Sequence, residues 1–120
     1  MRIVIASGDT DLRLAIQLML SEEPGIQIIG SASDYQGFIA LVKSTLPELV
    51  LMDWDLPGCN KADLVNKIKS LEPETGIQLV ILGNHRQARE SALEAGADDY
   101  FVIGDSPDKL LNAFRRLKFC

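Results

Sequence analysis

Leu49-Val50-Leu51-Met52-Asp53, preceded by Pro47-Glu48 and followed by Trp54-Asp55-Leu56-Pro57-Gly58, is the stretch whose reading decides the fold. Apolar side chains at four successive positions point to both faces of an extended chain, so a strand made of them has to be covered on each side. That is the mark of an interior strand of a parallel sheet. The run ends on an acid, and Pro-Gly punctuates the loop beyond it.

Reading outward, similar short runs recur at residues 2–6, 26–30, 79–82 and 100–103, and each is followed by a stripe with helical spacing. Leu12, Ala15, Ile16 and Met19 form the first stripe, and Phe38, Leu41 and Val42 the second. Leu64, Val65, Ile68 and Leu71 form the third, Ala88, Ala92, Leu93 and Ala95 the fourth, and Leu110, Leu111, Phe114 and Leu117 the last. Spacings of three and four residues lay one apolar face of a helix on a sheet. Pro24-Gly25 and residues 72–76 separate helices from strands, Gly96 supplies a left-handed helix end, and Ser106-Pro107 reads as a helix start.

Alternating strands and helices with right-handed crossovers give a (βα)5 three-layer sandwich around a parallel five-stranded sheet. The flavodoxin-like order 2-1-3-4-5 is favoured over a Rossmann half because no G-x-G-x-x-G follows the first strand. In this architecture ligands gather at the carboxyl ends of the strands, so the chemistry is expected just after Ala6, Met52, Leu82 and Val102.

The 120 residues suit one domain, spanning 1–120, and 47% hydrophobic with 24% charged residues excludes a disordered chain. A net charge of −5 argues against a phosphate-tracking surface, so contact with nucleic acid would need a separate output domain. The apolar runs are far shorter than the ~20 residues of a membrane span. Arg2 is not followed by the extended apolar stretch of a secretory signal. Cys59 and Cys120 form neither a close metal pair nor a disulfide scaffold, which fits a reducing, cytoplasmic setting.

Residues 47–58 resemble the phosphorylation-site segment of response-regulator receivers. Residues 92–100, Ala-Leu-Glu-Ala-Gly-Ala-Asp-Asp-Tyr, resemble that family's passage from fourth helix to fifth strand, and residues 21–26 its turn before the second strand. The resemblance implies that Asp53 accepts a phosphoryl group from a histidine kinase or a small donor. It also implies an acidic pair for Mg²⁺ after the first strand, a Thr or Ser after the fourth and a Lys after the fifth. Phosphoryl transfer depends on such cations because they neutralise the charge that spreads over the moving group.

At the matching positions, counted from Arg13, this chain has Ser7 and Gly8 for the acidic pair, Gly83 for the hydroxyl residue and Ile103 for the lysine, with Gly104 at the following proline. Asp53 with Asp9 or Asp55 is then expected to attract Mg²⁺ only weakly, since that ion wants near-octahedral oxygen ligation. A phosphoryl group, adding about −1.5 to −2 charge, would meet acids without a lysine. Tyr100 matches the family's switch aromatic; with Gly83 at the hydroxyl position the coupling lacks its lever, and a constitutively placed surface aromatic is expected. His85 reads as an exposed loop residue, and Arg86, Arg89, Lys109, Arg115 and Arg116 as a solvated basic face.

Three functions stay open. The leading one is a non-enzymatic signalling module that docks a kinase, another signalling protein or a second copy through its fourth helix, fifth strand and fifth helix, largely without phosphorylation. The second is a phospho-switch with weakened kinetics that controls a DNA-binding output. The third is a flavin- or nucleotide-binding protein that cradles phosphate in the Ser7-Gly8-Asp9-Thr10 loop at a helix start.

Overall fold

A computed structural model describes residues 1–56, 58, 76–103 and 110–112. Its strands are β1 (Arg2–Ala6), β2 (Gln27–Ala32), β3 (Leu49–Asp53), β4 (Gln78–Gly83) and β5 (Asp99–Val102). The helices are α1 (Thr10–Ser21), α2 (Tyr35–Thr45) and α3 (Ala88–Ala95), and residues 110–112 are helical. All strand pairs are parallel and the order is β2-β1-β3-β4-β5, as the sequence predicts. The third helical stripe, Cys59, Cys120, the Ser106-Pro107 helix start, Gly104, Lys109, Arg115 and Arg116 lie outside the described residues.

The two parities of β1, β3 and β4 sort cleanly into two cores. Val4 and Ala6 of β1, Val50 and Met52 of β3, and Leu79 and Ile81 of β4 face one cluster, with Phe38, Ile39 and Val42 of α2 and Ala92 of α3. Ile3 and Ile5, Leu49 and Leu51, and Val80 and Leu82 face the other, with Ile16 and Leu20 of α1 and Leu110. Period-two alternation of apolar residues on a doubly covered sheet therefore accounts for both layers.

Four of the five strands end one or two residues from the runs read in the sequence, and α1 and α2 depart from that reading too. β2 runs on to Ala32 because the register slips between Ile3 and Val4, which brings Ala32 level with Ala6. As an edge strand it carries the exposed Ser31, which masks its extended character in a hydropathy reading. On α1 the covered stripe is turned: Leu20 is fully buried while Ala15 is exposed. Leu46 closes α2 in the left-handed region at φ 47°, a place where glycine is usual and which a sequence reading passes over.

The layering makes a stability prediction. Phe38 is wholly buried against the sheet whereas Leu18 is 71% exposed. Phe38→Ala should lower unfolding free energy by about 3–5 kcal/mol and Leu18→Ala by about 0.5 kcal/mol or less, measured by urea denaturation. Equal losses would contradict the assignment of faces.

Candidate functional site

The topology places the site before any side chain is considered. From β1 the chain moves outward to β2, then returns to the other side of β1 to make β3, so the ends of β1 and β3 flank the point where the strand order reverses. Ala6 is level with Met52, which sets the next residues, Ser7 and Asp53, side by side. Asp53 is level with Leu82, so Gly83 follows immediately alongside.

Asp53 is only 8% exposed and Ser7 only 1%. A carboxylate so far from water needs hydrogen-bond donors. The Ser7 hydroxyl donates to Asp53 Oδ2 at 3.0 Å, and the Asp55 backbone N–H donates to Oδ1 at 3.0 Å. Both donors are neutral. Ser7 is itself held firmly: its N–H donates to the Ala32 carbonyl at 3.0 Å, its carbonyl accepts from Arg13 Nη1 at 2.7 Å, and its hydroxyl oxygen accepts from the Asp9 N–H at 3.1 Å.

The other acids take separate tasks. Asp9 is the N-cap of α1, its Oδ1 accepting from the Leu12 N–H at 3.1 Å, an arrangement that satisfies a helix-start donor. The Ser7-to-Thr10 loop is thus a turn and a cap, with the Ser7 hydroxyl directed to Asp53 and the Asp9 carboxylate to the helix. Asp55 is exposed and its Oδ2 accepts from Asn84 Nδ2 at 3.3 Å. Among the described residues no three His, Cys, Asp or Glu side chains converge in a way that could hold a metal ion. Gly8 is exposed, and Ile103 is a half-buried apolar residue packed on the α1 side of the sheet.

The end of β4 holds a feature that the sequence reading had wrong. Tyr100 is 2% exposed, so it is not a surface aromatic. Its ring fills the space that a side chain at position 83 would need: a Cβ on Gly83 would stand 1.9 Å from the Tyr100 hydroxyl oxygen and 2.7 Å from Cζ. The hydroxyl donates to the His85 carbonyl at 2.6 Å. Burial raises the Tyr100 hydroxyl above its ordinary value of 10.0 against the opposing pull of its bond to His85, and the Asp55 and Asp53 carboxylates also push it up. His85 itself is exposed, as expected.

The comparisons with known proteins agree with this fold. The model of the response regulator receiver domain matches residues 3–115. This chain belongs to that family. It is 30% identical over 105 residues to the nitrate/nitrite response regulator protein NarL of Escherichia coli K12, covering 88% of this chain and 49% of that protein. It is 30% identical over 112 residues to the phosphate regulon transcriptional regulatory protein PhoB of the same strain, covering 92% and 48%. The chain spans about half the length of these curated relatives.

Among solved structures, the isolated receiver domain of RcsB from Salmonella enterica serovar Typhimurium, with a phosphomimetic, superposes with a TM-score of 0.89 at 17% identity. That match covers 98% of this chain and 88% of the other. A LuxR-family response regulator from Aurantimonas sp. SI85-9A1 gives 0.85 at 24% identity, covering 97% and 83%. No described helix of this receiver is long and apolar enough to cross a membrane.

Sequence reasoning missed the donor role of Ser7 and the positions of Asn84 and Arg89. Parallel register is the signal that exposes the first: once β1 and β3 are neighbours, the residue after β1 must lie beside the acid that ends β3. Asn84 and Arg89 act through loop and helix geometry that no spacing rule encodes.

Two predictions follow from this geometry. Ser7→Ala leaves a buried carboxylate oxygen without its hydroxyl donor and should cost about 1–3 kcal/mol in urea unfolding; no loss would show that water replaces the hydroxyl freely. Because Tyr100 holds its proton more tightly folded than unfolded, its stabilising share is complete below about pH 10 and is lost as pH rises through the folded-state value. Wild type should lose stability more steeply than Tyr100→Phe as pH rises above 10.0, the ordinary tyrosine value, and parallel curves would contradict the assignment.

Proposed function

We propose that this receiver is a signalling interaction module that works largely without phosphorylation of Asp53, and that it is not an enzyme. The observation that carries the reading is the neutral hydrogen bond from Ser7 to Asp53 Oδ2, at the position where the family resemblance implies a metal-binding acid. A phosphoryl group on Asp53 would bring about −1.5 to −2 charge into a site already flanked by Asp55. Gly83 and Ile103 offer it neither a hydroxyl nor an ammonium group.

The donor set does not fit Mg²⁺. That ion needs several oxygen ligands around one point, usually including one or two carboxylates. Here Asp9 is committed to the α1 cap, Asp55 accepts from Asn84, and Asp53 is held by Ser7 and a backbone N–H. Moving any of these acids onto a cation would strip a donor or an acceptor of its partner. A phosphate cradle in the Ser7–Thr10 loop is disfavoured by the same commitments.

In this reading the output is a surface, formed by α3 and β5, that meets a kinase, another signalling protein or a second copy of the chain. The relatives NarL and PhoB are named as a response regulator and a transcriptional regulator. RcsB has been seen bound to promoter DNA. By analogy the whole protein would sit in the cytoplasm and touch DNA through an output domain separate from the residues described above.

Intact mass after incubation with acetyl phosphate and Mg²⁺ tests the proposal. The expected spectrum is dominated by unmodified protein, with Asp53→Asn as the reference. Rapid, stoichiometric gain of one phosphoryl mass that Asp53→Asn abolishes would overturn it.

A further inference from the structure

We propose that Gly83 and Tyr100 form a permanent clasp that fixes the loop of residues 84–87 and the start of α3 in one arrangement, so that the face presented there is preset rather than switched. The inference deepens the reading of this surface as the docking face and rests on that reading for its biological meaning. The clasp itself rests on contacts within the chain.

The first element is steric. With only 1.9 Å between the Tyr100 oxygen and an ideal Cβ on Gly83, and 2.9 Å to ring atom Cε2, any side chain at position 83 excludes the ring from its present seat. The neighbour cannot simply give way, since Tyr100 is nearly fully buried and packs in the core cluster that includes Met52, Ile81 and Ala92. Absence of a side chain at Gly83 and inward seating of Tyr100 are therefore one structural choice, made across adjacent strands.

The second element is what the seated ring does. Gln87 stands at the N-cap of α3 without a side-chain capping bond. The turn ahead of that helix instead relies on the His85 carbonyl, which accepts from the Ala88 N–H at 3.2 Å and from the Tyr100 hydroxyl at 2.6 Å. One turn further on, Arg89 Nη1 donates to the Tyr100 carbonyl at 2.8 Å and lies 3.6 Å from Asp99 Oδ1. Ile103 N–H donates to the Gly83 carbonyl at 2.7 Å. The start of an eight-residue helix is thus tied to β5 at two points, one through the phenol and one through the guanidinium, and β5 is tied in turn to the end of β4. Asn84, His85, Arg86 and Gln87, all exposed, are carried on this anchored segment. Tyr100 acts here as a positioning residue, working through the His85 carbonyl.

A double-mutant cycle in the full chain, without any phosphodonor, tests the clasp. Gly83→Ala should lower the melting temperature by about 5–15 °C. The same change made on Tyr100→Leu, which lacks the clashing ring atoms, should lower it by less than about 3 °C. Tyr100→Phe, which keeps the ring but loses the bond to His85, should speed amide hydrogen exchange at residues 84–89 by about 5-fold or more while leaving β1 and β3 unchanged. If Gly83→Ala fails to fold, the double variant with Tyr100→Leu should fold. Additive melting shifts, failure of that rescue, or unchanged exchange in Tyr100→Phe would each overturn the clasp. Phosphorylation of Asp53 in the mass experiment would overturn the proposed function while leaving the cycle's result intact.

Discussion

A carboxylate that ends a central parallel strand is desolvated by its own fold and must find donors among its neighbours. In this protein β1 supplies one. The β1–β3 register puts Ser7 beside Asp53, and the serine hydroxyl meets the carboxylate at 3.0 Å. Nearly everything else at this end of the sheet is arranged around that pair: Arg13 and Ala32 hold the serine, Asp55 supplies the second donor, and Asp9 is left to cap α1. A hydroxyl can satisfy a lone pair without bringing charge, which is the basis of the proposal that the site has little capacity for a further anion.

The second half of the site shows the same economy of space. A small residue at the end of β4 leaves room, and an aromatic from β5 occupies it. Close packing does not tolerate the vacancy, and the phenol must also find a partner once it is buried. The His85 carbonyl provides one, which links a packing solution in the core to the geometry of an exposed loop. Side-chain size at position 83 thereby reaches the outer surface through a ring and one hydrogen bond.

Much of the architecture was legible in the chain because the fold rests on period. Strands of mixed parity such as Leu49-Val50-Leu51-Met52 announce a doubly covered sheet, and their alternation with helical stripes leaves few topologies. Asp53 was legible because residues 47–58 resemble the phosphorylation-site segment of response-regulator receivers. Ser7 was visible as a departure from the family pattern, but its bond to Asp53 depends on strand register, which local sequence does not state. Tyr100 was misread because exposure of an aromatic on a short strand depends on what its neighbour lacks, and Gly83 lies seventeen residues away in the chain. The extension of edge strand β2 past residue 30 and the left-handed Leu46 escaped notice because hydropathy and glycine are the signals there, and Ser31 and Leu46 break those habits.

The central proposal, that a neutral hydroxyl satisfies Asp53 without a bound cation, is tested most directly by a high-resolution crystal structure grown with Mg²⁺ and beryllium fluoride. The account predicts Asp53 still bonded to Ser7, with neither ion at the tips of β1 and β3. An ordered divalent cation there, with a fluoroberyllate on the Asp53 carboxylate and Ser7 turned away, would contradict it.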